Sequence, residues 1–317
     1  MKSIIQNLIR ALTLTLLLAK HIYATGAGAD RDASPPQSCQ CQTVTSWTDL
    51  QIIIREANKS PTGGIVEVEQ KKVILCPFSI EKIHDATTNH WKHFIPIKKP
   101  MHIVCQKHNP GEACVVDVVG PTCRPDQNCG KQLFKIKSDD VFIEGIMFRN
   151  AKDNIVHVDP GVRNAKLIDF EIYGSYAPGG KKTSIDGLIV TAPDSSLQIL
   201  RGRFKWNFAT VLYNRGDTVV YDTQFKANRN RRADSKGTAI YNRMVGVTTI
   251  VSSSFENNVS ENGPAIYAVE GGVMDAGMNC ASKNTSSKEG SASVDCDGIE
   301  FENGSCKTFK TCISASS

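Results

Sequence analysis

The stretch LQILRGRFKWNFATVLYNRGDTVVYDTQFKAN, residues 197–228, contains two copies of one short pattern. In each copy a strand-like run leads to a phenylalanine, and an asparagine follows three positions later: Asn207 after Phe204, and Asn228 after Phe225. The two phenylalanines are 21 residues apart. A period in the twenties that contains strands and no helix is typical of a β-solenoid rung, one coil of a chain wound into a stack.

The same pattern extends on both sides of this stretch. The anchor residues are Phe148, Ile172, Phe204, Phe225 and Phe255, in segments 141–150, 167–174, 197–207, 219–228 and 248–258. A second short strand follows each anchor, at residues 155–158, 188–190, 210–213, 238–241 and 265–269. Because parallel crossovers are overwhelmingly right-handed, the repeat predicts an all-β protein with the fold of a right-handed parallel β-helix.

The predicted core follows from the alternation of side chains along a strand. Counting back by twos from an anchor gives one face of the strand, which would stack into a continuous core. In the first three rungs these faces are Glu144, Ile146 and Phe148; Ile168, Phe170 and Ile172; and Leu200, Gly202 and Phe204. The asparagines Asn207, Asn228 and Asn258 would lie at one turn, where stacked amides can share hydrogen bonds along a ladder.

Both ends of the predicted β-helix have features that would close it. Ser46 and Asp49 form a capping box at the start of an amphipathic helix, which would cover the open end of the core. The apolar face of that helix is Trp47, Leu50, Ile53, Ile54 and Ala57. The chain is thus divided into a signal peptide (1–29), a linker (30–43), the β-helix (44–279) and a cysteine-containing C-terminal cap or tail (280–317).

The N-terminus predicts export from the cell. Lys2 and Arg10 precede or border a short apolar run at residues 11–19, and residues 27–29 have the A-x-A form of a cleavage site, with cleavage after Ala24 as an alternative. Loss of residues 1–29 lowers the net charge from +5 to +2, which does not suggest a nucleic-acid partner. No membrane anchor is expected. The predicted location is extracellular.

An exported chain is expected to use its cysteines in disulfides and to display sequons on its surface. Disulfides would staple both ends, with the pairing open and one cysteine left over from an odd number. The candidates are Cys39, Cys41, Cys76, Cys105, Cys114, Cys123, Cys129, Cys280, Cys296, Cys306 and Cys312. The glycosylation sequons are at Asn58, Asn258, Asn284 and Asn303.

Several of these motifs occur together in a known group of proteins. A helix of the type S-W-x-D-L at residues 46–50, followed by G-G-I-V at 63–66, F-x-x-N rungs and A-I-Y strands, resembles secreted β-helix proteins of the pectin-lyase-like superfamily. The resemblance covers roughly residues 44–275. It implies a polysaccharide as substrate or ligand, because the superfamily includes polysaccharide lyases, hydrolases and esterases, together with proteins without known activity.

A first candidate site lies on neighbouring anchor strands. In the predicted register, Asp169, Arg201 and Asp222 form one column, and Glu171 and Arg203 form a pair beside it. One interpretation is a ladder of salt bridges on a solvated sheet. The other is a lyase site, in which the acids hold calcium beside a uronate and an arginine takes the proton. No metal site and no other cofactor is predicted otherwise.

A second candidate is a pair of carboxylates, Asp153 and Asp186, which would stack and could serve as the acid and base of a glycoside hydrolase. Asp186-Gly187 resembles the hydrolases of the superfamily only in this dipeptide, and their other motifs are absent. Asp before Gly is also ordinary turn chemistry. A lyase therefore ranks ahead of a hydrolase, and whether the protein is an enzyme stays open.

The third candidate is a binding surface. His157 aligns with Tyr213, Tyr241 and Tyr267, which could be a stacking platform for sugars or an aromatic ladder packed under a loop. Two long loops, at residues 175–183 and 229–236, leave the same corner and carry a basic rim, which is either a binding face or a set of ordinary soluble loops. Its residues are Lys181, Lys182, Arg229, Arg231, Arg232 and Lys236. These features favour a protein that binds or remodels an extracellular polysaccharide or cell-wall component, and an anionic polymer would suit the rim. The sequence gives no indication of the oligomeric state.

Overall fold

The computed structural model describes residues 41–59, 71–83, 94–107, 112–119, 133–151, 154–176, 187–230, 235–243, 245–269, 272–286, 298–302 and 305–312. The described part of the chain begins with one helix, α1, at Trp47–Lys59. Strands follow, and they recur in a fixed order of three. Each coil contributes one strand to each of three parallel sheets, which we call sheets A, B and C.

The strands of each sheet stack in chain order. Sheet A contains β1 Lys71–Leu75, β4 Met101–Cys105, β7 Val141–Glu144, β10 Ala165–Ile168, β13 Ser196–Leu200, β16 Asp217–Tyr221, β19 Val247–Val251 and β23 Val273–Asp275. Sheet B contains β2 Phe78–Ile83, β5 Cys114–Val119, β8 Ile146–Arg149, β11 Glu171–Tyr173, β14 Arg203–Lys205, β17 Gln224–Lys226, β20 Ser254–Glu256, β24 Cys280–Ser282 and β28 Lys310–Thr311.

Sheet C contains β3 Ile95–Ile97, β6 Phe134–Ile136, β9 Val156–Val158, β12 Gly187–Thr191, β15 Thr210–Asn214, β18 Ile240–Asn242, β22 Ile266–Ala268, β26 Gly298–Phe301 and β27 Cys306–Thr308. Its last pair, β26 and β27, is antiparallel. A small sheet pairs β21 Val259–Ser260 with β25 Thr285–Ser286. The parallel β-helix expected from the repeat is confirmed.

The core is a ladder of buried anchor residues. Phe148, Ile172, Phe204, Phe225 and Phe255 are all fully buried, as the alternation predicts. Phe204 pairs in register with Phe225, and Phe225 with Phe255, whose rings stack with centroids 5.0 Å apart. Each buried phenylalanine contributes roughly 1.5–3 kcal/mol of transfer free energy. The ladder therefore ties successive coils to one another along the whole axis.

The corner between sheets A and B corrects the expected strand. Each anchor segment is two strands, because a residue with positive φ turns the chain at Gly145, Asp169, Arg201, Asp222 and Ser252. The turn interrupts the alternation, so counting by twos fails across it. Glu144, Ile168 and Leu200, expected in the core, end their sheet A strands half-buried and outside the core cluster. Ile146 and Phe170 follow the turn, on the same side of it as their anchors, and they are buried as expected.

The corner between sheets B and C contains the predicted asparagine ladder. The Nδ2 atom of Asn207 donates to Oδ1 of Asn228 at 2.9 Å, and Asn228 donates to Asn258 at 3.0 Å. Asn284 continues the ladder below Asn258 at 2.9 Å. Each of these amides also donates to a backbone carbonyl of the preceding coil. The ladder is buried, so it satisfies carbonyl groups that would otherwise be unpaired at the turn.

Helix α1 covers the N-terminal end of the core, as expected. Its first turn is capped by Ser46, whose Oγ accepts from the Asp49 amide at 3.1 Å. Trp47, Leu50, Ile54 and Ala57 are buried, and Ile53 is partly buried against the core. The Trp47 ring lies 6.3 Å from that of Phe134. The helix is thus a lid over the first coils.

Disulfides hold the two ends. Cys41 is joined to Cys76 and Cys105 to Cys114 near the N-terminal end, and Cys280 is joined to Cys312 at the other. Cys306 is also disulfide-bonded. Four candidate cysteines lie outside the described residues: Cys39, Cys123, Cys129 and Cys296. Residues 1–40, which include the predicted signal peptide, lie outside them as well. These bonds indicate an oxidising compartment.

Within the described ranges, no helix has the length and apolar character needed to span a membrane.

Candidate functional site

The predicted charge column exists. Asp169 and Arg201 are paired with each other, whereas the Asp222 carboxylate has no hydrogen bond or ion pair with another described residue. The Nε and Nη2 atoms of Arg201 donate to the two carboxylate oxygens of Asp169 at 2.9 and 2.8 Å. Arg203 contacts Glu171 at 3.3 Å. These hydrogen bonds raise the pKa of the Arg201 guanidinium, which makes it a poorer proton acceptor. The geometry is that of a surface salt-bridge ladder.

The same pairing bears on calcium. Arg201 occupies both oxygens of Asp169, so that carboxylate has no free edge for a divalent cation. Nowhere in the described ranges do three or more His, Cys, Asp or Glu side chains come together as a metal-binding group. Because calcium needs six to eight oxygen ligands, the donors around Asp169 and Asp222 do not fit it.

Several predicted site residues lie outside the part of the chain that the structure describes. These are the hydrolase candidates Asp153 and Asp186, the rim residues Lys181, Lys182, Arg231 and Arg232, and the sequon at Asn303. Among the rim residues, Arg229 and Lys236 are described, and Arg229 is exposed.

Two of the predicted glycosylation sites need correction. Asn258 and Asn284 are buried members of the asparagine ladder. Both Nδ2 hydrogens of Asn258 are used, one by the Phe225 carbonyl and one by Asn284. A glycan on these amides would have to replace ladder hydrogen bonds inside the turn, so the folded chain cannot carry one there. Asn58 is half-buried, and its Nδ2 donates to the Pro96 carbonyl at 2.7 Å.

The tyrosine column of sheet C does not have the open ring faces that a stacking platform for sugars would need. Tyr213, Tyr241 and Tyr267 are in register, and neighbouring rings meet edge to face at 5.2 and 5.9 Å. Tyr213 is 5% exposed and Tyr267 is 6% exposed, whereas Tyr241 between them is half-buried. The two covered rings cannot receive a sugar on their faces. The column matches the other interpretation, an aromatic ladder packed beneath other parts of the chain.

His157 lies in the same column of sheet C as these tyrosines. Val190 stands between His157 and Tyr213 and is in register with both. It is 9% exposed, and its Nε2 lies 3.4 Å from Asp159, which also contacts Lys135 at 3.3 Å. Burial lowers the pKa of His157 to about 4, and the charge of Asp159 opposes this only in part. The imidazole is therefore neutral at physiological pH.

We expect His157 to make the protein sensitive to mild acid. The unfolded chain takes up a proton near pH 6.5 and the folded chain only near pH 4, so stability is full above pH 6.5 and is lost as the pH falls towards 4. The loss is about 3 kcal/mol, at about 1.4 kcal/mol per pKa unit. Chemical denaturation at a series of pH values measures the free energy of unfolding. Between pH 6.5 and pH 4, this free energy should fall less in His157→Gln than in wild type, by the amount just given. Parallel curves for wild type and His157→Gln would contradict the assignment.

The sequence interpretation missed a group of exposed rings at the corner between sheets B and C. Tyr173 and Trp206 meet edge to face with centroids 5.0 Å apart, and Tyr176 and Phe208 stack at 4.7 Å with an angle of 13°. Their exposed fractions are 41%, 50%, 39% and 36% respectively. We call these four residues the aromatic corner. Buried Ser175 and Asn207 lie between the two ring pairs, so the ladder fixes both pairs in place.

Trp206 is unusual in its backbone as well as its exposure. Its φ is 54°, in the left-handed region that asparagine and glycine tolerate best. The same turn position holds Asn150 and Gly174 in the preceding coils, and Asn257 two coils later. A bulky side chain at such a position costs roughly 1–2 kcal/mol. Since the Trp206 ring is also half exposed, the fold gains little from it.

Cations border the aromatic corner. Tyr173 lies in register between Arg149 and Lys205 on the outer face of sheet B. These three residues help to line a groove of about 500 Å³. On the other side of the corner, the backbone bonds of Phe208 to Ser175 and of Arg229 to Asn207 place Arg229 one coil below Phe208. A concave, partly aromatic surface with a few polar groups is the usual form of a ligand site.

One signal in the sequence could have identified this corner. The segment F-K-W-N-F at residues 204–208 places a tryptophan directly before the ladder asparagine, where the next coil has Ala227.

Support for a function comes from the chain's own residues. Comparisons of the chain with protein families, with curated proteins and with solved structures found no match.

Proposed function

We propose that the protein is an extracellular polysaccharide-binding β-helix, related to the pectin-lyase-like superfamily, that binds its ligand at the aromatic corner. The three-sheet parallel solenoid and the disulfides are consistent with such a protein. The export signal, the extracellular location and the superfamily membership are parts of the proposal, supported by the sequence motifs.

The exposed ring pairs are the observation that carries the proposal. Sugar rings present flat faces of C–H groups, and tyrosine and tryptophan offer them a large apolar surface with a polar edge. Two pairs of rings on adjacent coils provide places for neighbouring sugar units of one polymer. Exposed apolar groups concentrated at one place, rimmed by charges, are typical of an interaction site.

Binding without catalysis is favoured over the enzymatic alternatives. A lyase would need Arg201 or Arg203 as a base, yet both donate to carboxylates and the pKa of Arg201 is raised. The hydrolase carboxylates Asp153 and Asp186 lie outside the described residues. The lyase remains the second candidate, because Arg203 lies in register with Glu171 on the exposed face of sheet B.

The test measures binding and chain length together. The oxidised full chain is incubated with acidic and neutral polysaccharides, and affinity electrophoresis and size-exclusion chromatography are applied to the same samples. We expect wild type to retard at least one polymer without shortening it, and Tyr173→Ala to weaken that binding about ten-fold or more. Tyr221→Ala, on the outer face of sheet A, is the matched control and should bind like wild type.

Each other outcome has a definite meaning. Failure to bind any polymer, or equal binding by wild type and Tyr173→Ala, would contradict the proposed site. Shortening of a polymer would instead establish the enzymatic alternative, and Arg201→Ala would then show whether the lyase arginine is responsible.

A further inference from the structure

We infer that the ligand is an acidic polysaccharide with its acid groups on alternate sugar units, held along the solenoid axis by Arg149 and Lys205 with one unit over Tyr173 between them. The inference rests on the proposed function, since it names the ligand of the same aromatic corner. It follows from three features of this corner: which charges are paired, how they are spaced, and what lies between them.

The first feature is the pairing of charges on the outer face of sheet B. Arg203 is paired with Glu171, and Lys226 with Glu256 at 3.2 Å. Arg149 and Lys205 have no carboxylate within salt-bridge distance in the described part of the chain, and the Nε of Arg149 contacts only the Met147 sulfur at 3.2 Å. Their charges are therefore available to a ligand.

The acids near these two cations are already engaged. Asp117, in register beside Arg149, accepts from the Asn150 amide at 2.9 Å. Glu171 is the partner of Arg203. Arg229, beside Phe208 on the other side of the corner, is exposed and has no ion pair with any described residue. The corner thus presents cations whose preferred partner is an external anion.

The second feature is the spacing. Tyr173 pairs with Arg149 on one side and Lys205 on the other, so the two cations are separated by two strand spacings, about 10 Å. A pyranose unit in an extended chain is about as long as one such spacing. A polymer that runs along the axis would therefore place every second unit beside a cation.

The third feature is the residue between the cations. Tyr173 is 41% exposed and has the Trp206 ring at right angles to it. This site offers a neutral unit two ring surfaces, and the charges beside it, Glu171 and Arg203, are paired with each other. An acid group on every unit would bring a carboxylate onto the Tyr173 ring, whose negative face disfavours an anion. The pattern of cation, ring and cation thus matches alternation of acidic and neutral units.

The experiment compares three polymers on the oxidised full chain. Hyaluronan has one carboxylate per two units, polygalacturonate has one on every unit, and a neutral β-glucan has none. We expect hyaluronan to bind most tightly, with an affinity that falls as salt rises because the cations are exposed. Arg149→Glu and Lys205→Glu should each weaken hyaluronan binding about ten-fold or more. Lys72→Glu, the same charge change on the outer face of sheet A, should leave it unchanged.

The outcomes separate this inference from the function on which it rests. If the neutral glucan binds, loses affinity in Tyr173→Ala and is unaffected by Lys205→Glu, the polysaccharide site stands and the acidic ligand is overturned. Polygalacturonate binding as tightly as hyaluronan would overturn the alternation. Binding that Lys72→Glu weakens as much as Lys205→Glu would reduce the effect to net charge and overturn the two-cation site. Absence of all binding would overturn both proposals.

Discussion

Replacement of Asn228 by alanine is expected to lower the free energy of unfolding by about 3–5 kcal/mol, because it breaks the ladder at its centre. The Asn228 Nδ2 donates to the Phe204 carbonyl and to Asn258, and its Oδ1 accepts from the amide and the side chain of Asn207. All of these groups are buried. Alanine would remove all four hydrogen bonds, although the Asn258 Oδ1 would still accept from the backbone amide of residue 228 and the Asn207 Nδ2 would still donate to the Ile172 carbonyl. Each buried group left unpaired costs about 1–3 kcal/mol.

Urea denaturation of the oxidised protein measures this change. Gln224→Ala, four residues earlier and half-exposed in sheet B, is the matched loss of an amide and should cost less than about 1 kcal/mol. Asn228→Asp keeps the acceptor and removes the donors. Its free energy of unfolding should therefore lie between those of wild type and Asn228→Ala, or below both if the cost of the buried charge dominates. A loss under about 1 kcal/mol for Asn228→Ala would show that the ladder contributes little to stability.

The second large effect is expected for Trp206→Asn, and it has opposite signs for stability and binding. Asparagine tolerates the φ of 54° better than tryptophan, so we expect the protein to be stabilised by up to about 1 kcal/mol. Removal of the ring should weaken polysaccharide binding by about 2 kcal/mol or more, which is roughly thirty-fold. A residue that costs stability and supplies binding is the pattern of a functional position.

The next coil supplies the control for this substitution. Ala227 has a φ of 55° at the same turn position. Ala227→Asn should relieve a similar backbone strain and leave polysaccharide affinity unchanged. Thermal unfolding and affinity electrophoresis on both variants give the comparison. Equal affinities for Trp206→Asn and wild type would remove Trp206 from the binding site, whatever the change in stability.

The repeat was readable because its signals are local. The spacing of Phe204 and Phe225 and the asparagines after them depend on stacking between coils, and stacking imposes the same residue at the same turn. Alternation predicted the buried anchors for the same reason, since burial on one side of a strand has a period of two. The amphipathic helix and its capping box were readable from a single turn of sequence.

The corners were harder to predict. Asp169 and Arg201 adopt positive φ although neither is glycine, so no residue type announces that the strand ends there. Because this turn interrupts the alternation of side chains, Glu144 and Leu200 lie outside the core in which they were expected. The covering of Tyr213 and Tyr267 depends on contacts between distant segments, which alternation does not encode.

The aromatic corner shows the same limit in the site. Tyr173 and Trp206 are 33 residues apart in sequence, and only the register of the coils brings their rings together. The charge column was placed correctly, because register follows from the anchors. The pairing of Asp169 with Arg201 depends on side-chain geometry, which the sequence does not contain.

The most direct test of the proposed site is the fluorescence of Trp206 during titration with a polysaccharide that the protein binds. Of the two tryptophans in the described part of the chain, Trp47 is 7% exposed and Trp206 is 50% exposed, so a ligand at the aromatic corner should change the environment of Trp206 far more than that of Trp47. The account predicts that emission moves to shorter wavelength as the site fills, and that Trp206→Asn abolishes this shift. Saturated binding that leaves the emission unchanged, or a shift that persists in Trp206→Asn, would contradict a ligand site at the aromatic corner.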